Sequence, residues 1–459
     1  MKLIRRIAGI LLLAMLYALP AMALEISAPA SVRPFDDIVI RVQSGQAGKL
    51  TIQAFHGGMK MKSPVPETEI PAGTSEFPWD ALNFGGEPVP PGPVTLKGIL
   101  KLEDGSTAEA EFTANAVMPR TAVVACLPSA RMFCADGRHV LKIECALSAA
   151  GTCRLFLAPK DDPENILWRT TMECDGREPV AFSWNGRVGG KCCPPGEYVF
   201  TATTFPREMY TQTAEVTVVS EMEPLEIGLT GGLIPEDLSD DEAVWKALTA
   251  PVVVGNGPEG KGLYISDKVD GRYVKGWSVS CRTVGVDVLE LCDDGWVKIG
   301  AWVQQGGYYR EGYVKKDMLQ VIRPNTSYGA VLDKKAQTMT VYADGHPIGT
   351  MAVSTGYTDG ENRRADTHSG VYLLGTRMKD FRREGFVYRY PIRIDGPNLI
   401  HSVGYQEHNR VKDYSEQIAT LGQNVSHGCV RMDIRGEINA WWVWTHMGKD
   451  CKIIITPGT

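Results

Sequence analysis

The chain has 459 residues, a formal charge of −6, and 48 glycines and 28 prolines scattered among short apolar runs. One hydrophobic core is implausible at this length, since chains split into domains beyond roughly 250–300 residues. The acidic balance excludes a general nucleic-acid binder, whose affinity comes mainly from Lys and Arg meeting phosphates. Turn residues punctuate β-rich runs and few stretches carry a helical period, so the expectation is a mostly β, multi-domain protein.

At the start, Lys2, Arg5 and Arg6 precede an apolar run over residues 7–19, and Ala21-Met22-Ala23 fits the small-x-small rule for signal cleavage after Ala23. The run falls short of the roughly 20 residues that span a bilayer, so residues 1–23 read as a signal peptide rather than an anchor. No Cys stands near the cleavage site to take a lipid. Losing those three cations takes the formal charge from −6 to −9. Export to a periplasm or cell wall is expected.

An internal repeat follows. Phe77-Pro78-Trp79-Asp80, Gly85-Gly86 and Pro90-Pro91-Gly92 are echoed by Phe182-Ser183-Trp184-Asn185, Gly189-Gly190 and Pro194-Pro195-Gly196, with 105 residues between the two Trp. A period of this length indicates two copies of one sandwich-sized unit, residues 24–117 and 118–220, rather than a solenoid. Each Trp is expected to pack in a core while Gly and Pro set the turn. Both copies resemble the immunoglobulin-like domains related to flagellar-hook cap proteins.

Residues 221–249 read as an acidic linker, with a short helix over 238–248 capped by Ser239 or a neighbouring Asp. From 250 to 323 come short strand pieces around Val288, Gly295-Trp296-Val297 and Gly312-Tyr313-Val314. They resemble a bacterial SH3-like barrel. That resemblance implies wall-peptide binding, although Trp296 and Tyr313 also suit plain core packing.

Seven of the eleven cysteines fall in the second sandwich unit: Cys126, Cys134, Cys145, Cys153, Cys174, Cys192 and Cys193. In an exported chain this density points to disulfides, with connectivity open and one of the seven left over. Zinc is the alternative, but no Cys-x-x-Cys pair supports it.

The last region, 324–459, carries the chemistry. Ser426-His427-Gly428-Cys429-Val430-Arg431 lies downstream of Ile400-His401-Ser402. A thiol needs a base to become a nucleophile at neutral pH, and His401 is a candidate. Gly428 supplies a small neighbour that lets a carbonyl approach and frees backbone N–H groups for the developing oxyanion. These two segments, with residues 331–342, Val353-Ser354-Thr355-Gly356 and Thr367-His368-Ser369-Gly370-Val371-Tyr372, resemble the L,D-transpeptidase (YkuD) family in the right order.

The resemblance implies a β-rich catalytic domain with a short helix, following two β-sandwiches and a small SH3-like barrel. It implies a peptidoglycan L,D-transpeptidase acting on tetrapeptide stems, without metal or other cofactor. Cys429 would attack the third stem residue's carbonyl and release D-Ala; His401 would move the proton; the backbone carbonyl of Ser402 would orient the imidazole; Gly428 and His427 would shape the oxyanion site. Arg431, Ser426, Tyr388 and His368 are expected to line the substrate pocket. Peptidoglycan stem peptides are the expected partners, and carbapenem-type inhibitors are expected to acylate Cys429.

Two features depart from the family pattern. The interval from His401 to Cys429 is 28 residues, with a polar insertion around 406–416 that holds a fallback base, His408. His446 follows Cys429, the order of papain-like wall endopeptidases, on an expected helix over 436–447 whose Trp441, Trp442 and Trp444 look like core. A Cys429–Cys451 disulfide would silence the thiol. L,D-carboxypeptidase activity and a non-catalytic wall-binding scaffold are the remaining alternatives.

Overall fold

The computed structural model describes residues 24–457 apart from 177, 206–209, 231–233, 236, 305–306, 359–364 and 409–410. The expected signal peptide and the tip of the 406–416 insertion lie outside the described residues. No helix among the described residues is long and apolar enough to cross a membrane. The chain is mostly β, and its strands fall into two compact units.

The smaller unit holds residues 24–83 and 88–118, with His408–Val411. Two sheets build it, an antiparallel one of three strands around Ile38–Ser44 and one of six, antiparallel but for the short strand Ser31–Val32, around Gly48–His56 and Gly92–Lys101. Burial alternates along these strands, most clearly in Ile38–Ser44, because successive side chains point to opposite faces. Trp79 closes one edge of the resulting core, 6 % exposed and opposite Ile38 in the ladder.

The larger unit holds Phe84–Glu87 and the rest of the described chain from Pro119. It opens with a second sandwich, in which Val123–Pro128, Leu141–Leu147 and Val180–Trp184 face a five-stranded sheet. Trp184 pairs with Leu141 as Trp79 pairs with Ile38, so the sequence repeat is also a repeat of register. It is 1 % exposed and lies against Phe133 and Phe200, with ring centroids 5.5 and 5.6 Å away. In both copies the Gly-Gly turn is left-handed: φ is +63° and +83° at Gly85 and Gly86, and +56° and +84° at Gly189 and Gly190. Side chains rarely adopt that conformation, which is the reason both turns keep glycine.

Next comes the helix Asp241–Thr249, capped by Asp240, whose carboxylate accepts from the N–H groups of Glu242 and Ala243. Val244 and Leu248 are buried in one core with Val252, Val254 and Ile322, and with Val331, Tyr342 and Ile454 of the C-terminal sheet. Lys452, on the strand Lys452–Ile455, donates to the carbonyls of Ala247 and Ala250 at the helix C-terminus, where a cation is favoured. Residues 250–323 add a five-stranded antiparallel sheet and the pair Val252–Gly255 with Leu319–Ile322. Within that sheet Trp296 is 8 % exposed and Lys315 sits over its ring. Backbone bonds from Gly285 to Val371 and from Leu373 to Thr283 stitch this region to the strand Gly370–Leu373.

The C-terminal sheet runs Gly370–Leu373, Lys452–Ile455, Gly329–Asp333, Thr338–Ala343, His346–Gly356, Val430–Met432, Asn398–Ser402 and Ile392–Asp395, with Asn424–Ser426 beside His346–Gly356. A helix, Ala440–His446, begins at Asn439, whose side chain accepts from Trp442 N–H. It buries Trp441 and Trp444, as core packing requires. The buried Arg377 guanidinium bonds the carbonyls of Trp444 and Met447 at the far end, and bonds Glu144 of the second sandwich at 2.6 Å.

A testable consequence concerns the repeated Trp. Trp184→Ala should cost about 3–5 kcal/mol in equilibrium urea unfolding, the usual price of emptying a large aromatic site. A loss below about 1 kcal/mol would contradict the core role given to it.

Candidate active site

Parallel pairing of Asn398–Ser402 with Val430–Met432 builds the site, with Ile400 opposite Val430, His401 opposite Arg431 and Ser402 opposite Met432. Ile400, Ser402, Val430 and Met432 are fully buried, so this register is held by packing as well as by the ladder. Cys429 stands immediately before the second strand. Its thiol and the His401 ring therefore line the same cavity, with Tyr388, Phe381, Arg383, Glu384, Ser426, His427 and Arg431. The cavity volume is about 30 Å³, room for about one water.

The turn before Cys429 has little freedom. Gly428 has φ +112°, and a Cβ there would stand 2.7 Å from Asn398 Oδ1. Its carbonyl accepts from Thr367 Oγ1 at 3.0 Å, and its N–H donates to Ser426 Oγ at 3.3 Å. Ser426 Oγ in turn donates to the Cys429 carbonyl. Thr367 Oγ1 also accepts from Gly356 N–H at 2.8 Å, tying the turn to the end of the long strand His346–Gly356.

His401 is held by its own neighbour. Its Nδ1 lies 2.7 Å from the Ser402 carbonyl oxygen, which can only accept, so Nδ1 carries the proton and Nε2 keeps a lone pair. Tyr388 and Phe381 flank the ring edge-on at 4.8 and 5.3 Å. Burial lowers the imidazole pKa to about 4, the Arg431 charge adds to this, and the Ser402 carbonyl opposes it. Burial also raises the Cys429 thiol, against smaller opposing effects from Leu399 N–H, Arg383 and Arg431. Both shifts favour the neutral forms, of a thiol and an imidazole that line one cavity.

Ser402 is fixed in turn. Its N–H donates to the Arg389 carbonyl at 2.8 Å, its Oγ accepts from Arg389 N–H at 3.0 Å, and its hydroxyl donates to the Val403 carbonyl at 2.8 Å. The Arg389 side chain pairs with Glu87 at 2.6 Å, and the Tyr390 hydroxyl bonds the same carboxylate.

Ser426, Gly428 and Cys429, with His401, Ser402, Tyr388 and Arg431, converge around the cavity. Arg431 sits 5.8 Å over the Tyr388 ring. His427 touches the rim only: its ring is exposed and packs edge-on against Tyr357 at 5.5 Å. His368, expected in the pocket, does not line this cavity. It is buried, with Nδ1 3.3 Å from Asp395, whose other oxygen accepts from Ser280 and Gln304.

The other histidines stand apart from the thiol. His446 stacks flat on Trp442 at 4.4 Å and donates to the Trp442 carbonyl, away from the Cys429 cavity. His408 is exposed at the end of the strand Gln406–His408. Cys429 and Cys451 are both free thiols, and Cys451 is fully buried. Among the described residues no group of three His, Cys, Asp or Glu is placed to hold a metal ion.

Phe381, Arg383 and Glu384 were not singled out from sequence. They come from the hairpin Phe381–Arg383 with Phe386–Tyr388, whose turn residues Glu384 and Gly385 have φ +52° and +85°. A polar-Gly pair between aromatic runs was the available signal.

Residues 327–455 match the family described as YkuD, the L,D-transpeptidase catalytic domain. Residues 327–455 therefore carry an L,D-transpeptidase catalytic domain. Among solved structures, an L,D-transpeptidase from Mycobacterium smegmatis is 15 % identical, with 46 % of this chain and 92 % of that one covered and a TM-score of 0.24. One from Mycobacterium tuberculosis H37Rv is 16 % identical, with 48 % and 86 % covered and a TM-score of 0.24. L,D-transpeptidase 3 from Mycobacterium tuberculosis, in complex with a faropenem-derived adduct, is 15 % identical, with 46 % and 92 % covered and a TM-score of 0.25. No curated protein matches the chain.

Gly428→Ala tests the turn geometry. A side chain at this φ stores about 1–3 kcal/mol of strain, so the variant should lose about that much stability in equilibrium urea unfolding. Removing the neighbour as well, with Asn398→Ala, should recover only part of the loss, because the backbone strain remains. Wild-type stability in the single variant would contradict the geometry.

Proposed function

We propose that the protein is a peptidoglycan L,D-transpeptidase in which Cys429 is the nucleophile and His401 the base. The observation that carries this reading is the pairing of one cavity-facing thiol with one imidazole whose Nδ1–H is tied to the Ser402 carbonyl, leaving Nε2 to accept a proton. Sulfur attacks the carbonyl of the third residue of a tetrapeptide stem as its proton passes to Nε2. The tetrahedral oxyanion is held by backbone N–H groups at the Gly428–Cys429 turn, at about 3 kcal/mol per donor in comparable sites. The Gly428 N–H would have to leave Ser426 Oγ to serve, which makes the Cys429 N–H the better donor. His401 then gives its proton to the departing nitrogen, so D-Ala leaves with a neutral amine and a thioester remains.

An acceptor amine from a neighbouring stem resolves the thioester into a cross-link between third residues; water gives L,D-carboxypeptidase activity instead. The Phe381–Tyr388 hairpin supplies four of the residues that line the cavity, so its movement would gate donor entry and its return would exclude water from the thioester. Arg431 and Arg383 on the cavity wall would meet a stem carboxylate. Upstream, the immunoglobulin-like and SH3-like resemblances suit units that hold the enzyme at the wall, and residues 1–23 suit export.

The direct test is incubation of the protein with disaccharide-tetrapeptide followed by mass spectrometry. The expected results are D-Ala release, an acyl adduct on Cys429, and loss of both in Cys429→Ala and His401→Ala. Binding without adduct or release would favour a wall-binding scaffold; tripeptide without dimer would favour hydrolysis.

The pH dependence follows from His401. It must be neutral to accept the thiol proton, and its pKa of about 4 keeps it so above that value. The acylation rate should be flat from about pH 5 upward and fall about tenfold per unit below pH 4. An acid limb centred near 6.5, the ordinary histidine value, would contradict a buried base.

A further inference from the structure

The second sandwich holds a cluster that the proposed reaction does not use. Cys126, Cys145, Cys153 and Cys174 all lie in its hydrophobic core, 6 %, 0 %, 0 % and 6 % exposed, and all are free thiols. Cys126 and Cys145 stand directly opposite each other on the antiparallel strands Val123–Pro128 and Leu141–Leu147. Cys153 and Cys174 lie on the facing sheet, on the paired strands Gly151–Pro159 and Trp168–Cys174. The Cys145 thiol is within hydrogen-bonding reach of both Cys126 and Cys153, and the Cys153 thiol also reaches Cys174. The four sulfurs thus form an unbranched chain, 126–145–153–174, that crosses from one sheet to the other.

Chain order decides connectivity. Four cysteines allow three complete pairings. The pairing 126–153 with 145–174 joins no neighbours. The pairing 145–153 with 126–174 joins the middle and asks the two ends, on opposite sheets, to meet. Only 126–145 with 153–174 links adjacent sulfurs throughout. For Cys126 and Cys145 the register supplies a Cα separation of roughly 4.5–5.5 Å, inside the range a disulfide needs.

Access is limited to the two ends of the chain, Cys126 and Cys174, each 6 % exposed. Cys126 lines a cavity of about 280 Å³, shared with Arg131, Tyr328, Asp344 and His446. Cys145 and Cys153 have no exposed surface.

We propose that these residues form a four-thiol oxidation site that accepts two disulfides, 126–145 and 153–174, from a small or protein disulfide oxidant entering at Cys126. In the first step the Cys126 thiolate attacks one sulfur of the oxidant, forming a mixed disulfide and releasing a thiol. Cys145 then attacks the Cys126 sulfur and releases the second thiol, so two electrons and two protons leave the cysteines and reduce the oxidant. Cys153 next attacks Cys145, freeing Cys126, and Cys174 attacks Cys153, freeing Cys145. The bond has moved to 153–174 with no net change in electrons. A second oxidant molecule re-oxidises 126–145.

The test uses the full chain, reduced and then treated with oxidised glutathione, quenched with iodoacetamide at intervals and mapped without reduction. The expected result is both linked peptides, 126–145 and 153–174, with Cys126 the first of the four to carry glutathione. Cys126→Ser should slow formation of the 153–174 link at least tenfold, while the reduced variant keeps the wild-type thermal midpoint. A dominant 145–153 link, or four thiols that all remain alkylatable after unfolding in guanidinium, would overturn the pairing. Glutathione appearing first on Cys174, in the wild-type chain, would overturn the route. None of these readouts depends on peptidoglycan turnover, so the site stands or falls apart from the catalytic reading.

Discussion

Three residue pairs of parallel ladder hold the active site together. Ile400, His401 and Ser402 lie beside Val430, Arg431 and Met432, although 28 residues of chain separate His401 from Cys429. Parallel neighbours need a long crossover connection, and here the connection includes the polar insertion. What fixes the thiol beside the imidazole is thus a register locked by buried Ile400, Val430 and Met432, and not the length of the loop. A slip by one residue would turn His401 to the opposite face of the sheet.

Dryness sets the chemistry of the pair. Both groups are desolvated, so both are pushed toward their neutral forms, the imidazole to about 4 and the thiol upward. Arg431 and Arg383 pull the thiol the other way, and they are the charges that would steady a thiolate once it forms. The nearby Ser402 carbonyl fixes the tautomer, and the Ser402 side chain and backbone are themselves pinned by Arg389.

Much of this was legible in the sequence. The Ser426–Arg431 and Ile400–Ser402 segments, which line one cavity, pointed to the candidate site because thiol chemistry needs a small neighbour and a base, and those needs leave few residue choices. The repeat showed itself through Trp79 and Trp184, whose shared register position demands the same bulky side chain twice. The helix near 238–248 and its capping Asp, Asp240, were readable, but its apolar face joins the strands at 250–323 and the C-terminal sheet in one core. That joining depends on long-range packing, which periodicity does not encode. His368 sits in a family-like segment, and its ring lies against Asp395, a partner distant in the chain. The Phe381–Tyr388 hairpin went unremarked because its aromatic residues read equally well as core.

Direct titration of the His401 ring tests the central claim most sharply. In protein carrying ¹⁵N-labelled histidine, the two ring nitrogens report charge and tautomer separately, and His401→Gln assigns the signal. The account predicts a neutral ring protonated on Nδ1 throughout neutral pH, charging only near pH 4. A ring that is positively charged at pH 7 and loses that charge in Cys429→Ala would mean a preformed ion pair, and would contradict it.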